Sequence, residues 1–269
     1  MTIRYGCQTF TWQMSYDRYS DSLPAILSTI REAGFRGVEA ETCMLGSLYD
    51  PVMLKEELLR NGLELAALTL ALPWREAEET ADERREADRV MDLLARFPEA
   101  SLVLVQLPGQ NRDDLHERQT KLIELVNRIG ERAHDRGIKA VYHPNSSPGS
   151  LFRVREDYEV LFLGLNERYV GYAPDSGHIA KGGMDVADIF RTARPLIRHV
   201  HFKDVSEEGE WRKMGEGAIA HPVLAKMLRN TGYDGWIMVE EESAEAVSDP
   251  DGVTRHNGSY VNRKLIVNE

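Results

Sequence analysis

Two short stretches concentrate residue types that could bind a metal or move a proton. YAPDSGHIAKGG (172–183) carries Asp175 and His178, and RHVHFKDV (198–205) carries His199, His201, Lys203 and Asp204. Each contains a short apolar run that ends in these polar groups. The same ending recurs elsewhere: Glu39 and Glu41 close one apolar run, Gln106 another, His143 a third and Glu240 a fourth. Carboxylates and imidazoles arriving from several strand ends suit a divalent cation, with Mn²⁺ first and Zn²⁺, Co²⁺ or Mg²⁺ as alternatives. A mixed oxygen and nitrogen donor set with open positions suits a catalytic ion better than a closed structural one.

Every member also has a plainer reading. Asp175, placed before Ser-Gly, could stabilise a turn, and His178 could cap or pack locally. His199 and His201 alternate with Val200 and Phe202, so they share one strand face, where a histidine can be a satisfied core residue. Glu240 to Glu242 could be a solvated strand end, and Lys203 with Asp204 an exposed pair of little worth. The weight rests on so many of them falling at strand ends.

The elements that must position these residues alternate along the chain. Strand-like runs lie at 3–10, 35–41, 63–72, 102–107, 138–143, 168–175, 197–204 and 235–242. The run LELAALTLAL is nearly all apolar, as a strand covered on both faces should be. Helical patterns fall between the runs, two of them opening near Pro24 and Pro51 and closing at Gly34 and Gly62. The charge-rich stretch from Arg75 to Phe97 reads as one long surface helix, and 184–196 as a short helix. Residues 206–217 read as a polar loop holding Trp211 and Arg212, and the tail from Ser243 as turns with a weak or absent helix. Strands alternating with helices imply a parallel sheet. No Gly-rich phosphate fingerprint follows the first strand, so an α/β (β/α)8 barrel is preferred to a doubly wound sheet. At 269 residues with no linker, 1–269 is expected to be a single domain.

Composition narrows the partners. The net charge of −11 works against a surface that attracts nucleic-acid phosphates or anionic lipid. No apolar stretch approaches the length of a membrane span, and no leader pattern is visible at the N-terminus. Two cysteines, Cys7 and Cys43, are too few for a disulfide framework and suit a cytoplasmic location.

The segments GFRGVEAE, PDSGHIAKGG, RHVHFKDV, the GEG at 215–217 and GWIMVEEE resemble the xylose-isomerase-like barrel superfamily. That superfamily holds sugar isomerases and epimerases, inosose dehydratases and endonuclease IV. The resemblance runs from the first strand to the eighth. It implies a divalent metal held by Asp175, His201 and Glu240, with Glu39 beside the substrate and His178 and Lys203 around the metal and sugar hydroxyls. Arg212 lies in the loop that often brings a basic residue to the substrate. Strand five departs from the pattern: epimerases of the family have Glu there, whereas this chain has YHPN with His143 at that place. The His-Pro pair is similar to the inosose-dehydratase-like branch. Glu156, at the next helix start, is the alternative fourth ligand.

The resemblance implies chemistry on a small sugar or keto-sugar through a metal-stabilised enediolate, with Glu240 or His143 as base. Reprotonation gives an isomerase or epimerase, which is the first expectation, and departure of a β-substituent gives a lyase acting on a keto-inositol or 3-keto-glycoside, which is the second. A non-catalytic sugar-binding barrel ranks third, and endonuclease chemistry lower still. Gln106 is a further candidate substrate contact, and Phe10, Trp12, Trp74 and Trp211 could wall a sugar ring or simply pack. No phosphate cradle is evident, so a free or glycosidic sugar is expected. Barrels of this kind commonly pair, which makes a homo-oligomer an open expectation.

Overall fold

The computed structural model describes residues 3–266. Eight strands form a parallel sheet: β1 (Arg4–Gln8), β2 (Gly37–Glu41), β3 (Glu64–Leu72), β4 (Ser101–Gln106), β5 (Lys139–Tyr142), β6 (Val170–Tyr172), β7 (Val200–Phe202) and β10 (Trp236–Val239). Between the last two, β8 (Asp204–Val205) and β9 (Trp211–Arg212) make a small antiparallel hairpin. The sheet order is β6-β5-β4-β3-β2-β1-β10-β7. The chain divides into two compact units, Met1–Ala67 with Val200–Glu269, and Leu68–His199.

In the first unit β1 pairs with β2 and β10, and β10 with β7. The expected close approach at Gly6 is real. A Cβ there would lie 2.4 Å from the Met238 Cε and 2.8 Å from the Gly37 carbonyl oxygen. All five residues of β2 are buried, including two carboxylates, Glu39 and Glu41. Buried charge is costly unless paired, so each of these must find a partner. The helix Pro51–Asn61 begins on Asp50, whose Oδ1 accepts from the Val52 and Met53 amides, and ends on Gly62 at φ 62°.

The tail corrects the sequence expectation. It folds as the helices Ala244–Ser248 and Pro250–Tyr260, followed by a π-helical turn Val261–Ile266. Asp-Pro-Asp-Gly reads as turn chemistry, but here Asp249 is an N-cap that accepts from the Gly252 amide, and Pro250 occupies the first helical turn. Val253, Val261 and Leu265 are buried and anchor the tail. The polar loop at 206–217 likewise contains an element that was not expected, the strand β9.

In the second unit β4, β5 and β6 pair in register, with Leu104 opposite Tyr142 and Tyr142 opposite Tyr172. The helix expected from Arg75 starts only at Ala81. Thr80 and Glu83 form a capping box that fixes this start. Ahead of it Trp74 turns at φ 43°, its amide donating to the Glu83 carboxylate. The segment 176–181, which lies between the strand-like run 168–175 and the helix expected over 184–196, is a short helix, Ser176–Lys181, and the next helix is Val186–Thr192.

Candidate metal and proton-transfer site

The first unit gathers its site residues at the C-terminal ends of β2, β7 and β10. His201 lies within β7, and its ring is held on both edges. Nε2 is 3.0 Å from Glu39 Oε2 and Nδ1 is 3.1 Å from Glu240 Oε2. Burial opposes the charged imidazole, but the Glu39 and Glu240 carboxylates outweigh it and carry the His201 pKa up to about 10. His201 is therefore an imidazolium bridging two carboxylates. Two residues on, Lys203 is 1% exposed and donates to Glu240 Oε1 at 2.7 Å and to the Glu242 carboxylate. The plain reading of Lys203 and Asp204 as a surface pair fails, since both are buried. So does that of a solvated strand end, since Glu240 and Glu241 are buried as well.

Glu242 was not expected as a partner of Lys203, although its two-residue spacing from Glu240 puts both on one side of the strand-like run 235–242. Nor was a role expected for Gln8, which donates to Glu41 at 2.7 Å. Burial lifts the Glu41 carboxyl to about 8; the Gln8 hydrogen bond opposes the rise, and Glu240 and Glu39 add to it. Glu41 is thus a carboxylic acid at neutral pH, which is how β2 carries two acids side by side in its core. Trp211, on β9, lies with its ring centroid 5.0 Å from the Lys203 ammonium. Arg212 turns elsewhere, onto the Glu210 carboxylate.

The second unit brings together His143, Asp175 and His178. His143 follows β5, its amide donating to the Leu104 carbonyl. The two carboxylate oxygens of Asp175 face different partners. Its Oδ1 accepts from the His178 amide at 2.8 Å and caps the helix Ser176–Lys181, while Oδ2 lies 3.6 Å from His143 Nε2. The His178 Nδ1 accepts from the Ser146 amide at 3.3 Å, which leaves the ring proton of the neutral imidazole on Nε2. The His143 and His178 rings meet edge to face at 5.6 Å. Glu156 is exposed on the helix Arg155–Gly164, and the buried acid of that turn is Asp157. Gln106 donates to the Trp74 carbonyl at 3.0 Å. Trp12 and Trp74 are packed in the interior, and Trp12 donates to Asp251.

His143, Asp175, His201 and Glu240 are each buried and each offers one atom of the kind a divalent cation takes. Among the described residues no helix is long and apolar enough to cross a membrane.

Residues 27–262 match the family model of the xylose isomerase-like TIM barrel. The chain is 25% identical over 275 residues to an inosose dehydratase of Clostridium botulinum, covering 90% of this chain and 89% of that one. Among solved structures it resembles the IolI protein with a bound zinc atom, at TM-score 0.77 and 17% identity, with 97% of each chain covered. It also resembles the 3-keto-D-glucoside 4-epimerase of E. coli, at TM-score 0.74 and 16% identity, covering 97% of this chain and 99% of that one. The chain belongs to the xylose isomerase-like TIM barrel family, and it is an enzyme of that superfamily of sugar isomerases, epimerases and lyases.

Proposed function

We propose that this chain is a divalent-metal-dependent lyase that removes water from a cyclic polyhydroxy ketone of the inosose type. His143, Asp175, His201 and Glu240 are its proposed metal ligands. Two imidazoles and two carboxylates, all buried, fit a first-row divalent ion such as Mn²⁺ or Zn²⁺. When bound, that ion supplies the positive charge that makes a C–H beside a carbonyl acidic.

The observation that carries the reading is the buried Lys203–Glu240 contact at 2.7 Å. Glu240 takes the proton from the carbon next to the carbonyl, and Lys203 protonates the departing hydroxyl on the following carbon. One C–H and one C–O bond break, a C=C bond forms and water leaves. The proton left on Glu240 then passes along the same hydrogen bond to the Lys203 amine, which restores both groups without an outside acid. His178 donates from Nε2 to a substrate oxygen, a role its Ser146-fixed tautomer supports. Glu39, Gln106, Trp211 and Arg212 remain the proposed substrate contacts. Support is best for Trp211, which lies beside Lys203, and weakest for Gln106 and Arg212, whose polar groups are engaged by Trp74 and Glu210. The inosose dehydratase relatives favour this outcome. Free thiols at Cys7 and Cys43 suit a cytoplasmic enzyme.

A second reading, an epimerase, draws support from Glu39. It lies on the edge of the His201 ring away from Glu240, so two carboxylates flank that ring. Two variants separate the readings. Glu240→Gln should abolish exchange of the substrate's α-proton with solvent. Lys203→Met should keep exchange and lose roughly 10² to 10⁴ of the dehydration rate, the usual worth of a general acid. Loss of exchange in both, with an epimer as the wild-type product, would favour the second reading.

A further inference from the structure

The loop after β7 is built around one buried carboxylate whose role the reaction above does not use. Asp204 is 1% exposed. Its Oδ2 accepts from the Gly215 amide at 2.9 Å and the Gly217 amide at 3.1 Å, and its Oδ1 from the Ile219 amide at 3.2 Å and the Val205 amide at 3.0 Å. Four backbone N–H groups on one carboxylate, three of them from residues 215–219, make a closed clamp. Hydrogen bonds to a charged acceptor are about twice as strong as neutral ones.

The Gly-Glu-Gly at 215–217 is what this clamp demands. A Cβ on Gly217 would fall 2.2 Å from the Asp204 Oδ1. Gly215 sits at φ 84°, and a Cβ there would fall 2.4 Å from the Tyr260 ring. The tail helix holds the same loop from its other side, Asn257 Oδ1 accepting from the Met214 amide at 2.9 Å. The Asp204 backbone is opposite Arg212 in the β8–β9 hairpin, and Val205 is opposite Trp211. Fixing the loop's return at 215–219 therefore fixes β9, and β9 carries the indole that lies 5.0 Å from the Lys203 ammonium.

We propose that Asp204 is a positioning residue whose clamp on the 215–219 loop holds Trp211 as a cover over Lys203. The cover shields the ammonium from bulk water and from other acceptors, so that it stays directed at Glu240 and the leaving group. The catalytic half of this proposal rests on the lyase reading. The structural half does not.

The test uses two readouts that need no substrate. Trp211 is the one part-exposed tryptophan of the four in the chain, since Trp12, Trp74 and Trp236 are buried, so iodide quenching of fluorescence reports on it, with Trp211→Phe as the control. Amine acylation with peptide mapping reports on Lys203. Asp204→Asn keeps one acceptor oxygen and sets an NH₂ against backbone N–H donors. It should raise both the quenchable signal and the Lys203 labelling rate severalfold, in a protein that still unfolds cooperatively. Gly217→Ala, which pushes on the same carboxylate without changing its charge, should do the same. Trp211→Ala should expose Lys203 with the clamp intact, and so serves if the other two fail to fold. With a substrate in hand, Asp204→Asn should lower kcat tenfold or more and also raise KM, because the displaced Trp211 is a proposed substrate contact as well as the cover of Lys203. Quenching and labelling at wild-type levels in folded Asp204→Asn, or a buried and unreactive Lys203 in Trp211→Ala, would overturn the proposal. If labelling rises but no compound is turned over, the clamp stands and the lyase reading is what fails.

Discussion

Competition between a metal and a proton at His201 gives the sharpest quantitative prediction. In the metal-free protein the Glu39 and Glu240 carboxylates hold this imidazole protonated, with a pKa of about 10. A metal ligand must be a neutral imidazole, so the proton has to leave when the ion arrives. At pH 7 that displacement works against three pH units, a penalty of about 4 kcal/mol, or roughly 10³ in apparent affinity. Apparent Mn²⁺ affinity should therefore climb close to tenfold per pH unit between about 6.5 and 9, with near one proton released per ion bound. Calorimetric titration at pH 7.5 in two buffers of different ionisation enthalpy reads the proton count directly. Stability of the metal-free protein should run the other way. The raised His201 pKa contributes stability that is complete below about 6.5 and lost as pH rises through about 10. Glu39→Gln removes one of the two carboxylates and should flatten both curves. Flat metal affinity across this range, with no proton release, would refute the account of His201.

Other consequences are simpler to score. Asp175→Asn and Glu240→Gln should each purify folded with a tenth or less of the wild-type metal, as elemental analysis would show; full retention in both would remove them as ligands. His143→Ala should cut metal content and turnover at least tenfold more than Glu156→Ala, because Glu156 is exposed; the reverse order would make Glu156 the ligand. Glu41, whose carboxyl burial lifts to about 8, should make stability fall as pH rises from about 4.5 to about 8; Glu41→Gln should remove that slope in chemical denaturation. Cys7 is buried with its thiol pushed far up, and burial beside Glu41 lifts Cys43 to about 11. Native protein at pH 7 should therefore react slowly at one thiol with a disulfide reagent and at two once denatured.

The barrel strands were legible because a parallel strand covered on both faces shows as an unbroken apolar run, as β3 does. Their polar ends were legible for the same reason: Glu39, His143, Asp175, His201 and Glu240 interrupt or close such runs. What escaped notice were places where one residue serves two local purposes. Asp175 closes the strand-like run 168–175 in the sequence, whereas in the structure β6 stops at Tyr172 and Asp175 caps the helix Ser176–Lys181. Asp249 and Pro250 look like a turn and begin a helix, because the chemistry of a turn and of an N-cap is the same up to the third residue. Trp211 as a neighbour of Lys203 was hidden in a different way. It lies 8 positions along the chain from Lys203, and only the pairing of β8 with β9 brings it back. No local pattern in the segment 206–217 announces that return.

Joint action of Glu240 and Lys203 in expelling water from a polyhydroxy ketone can be followed by incubating the Mn²⁺-loaded protein in D₂O with inososes, 3-keto-glycosides and keto-sugars and recording substrate and product by NMR. An inosose-type ketone should lose one water, giving a product with a new double bond, while the recovered starting material gains deuterium only next to its carbonyl. A deuterated product of unchanged formula, an epimer or isomer of the starting sugar, would contradict it.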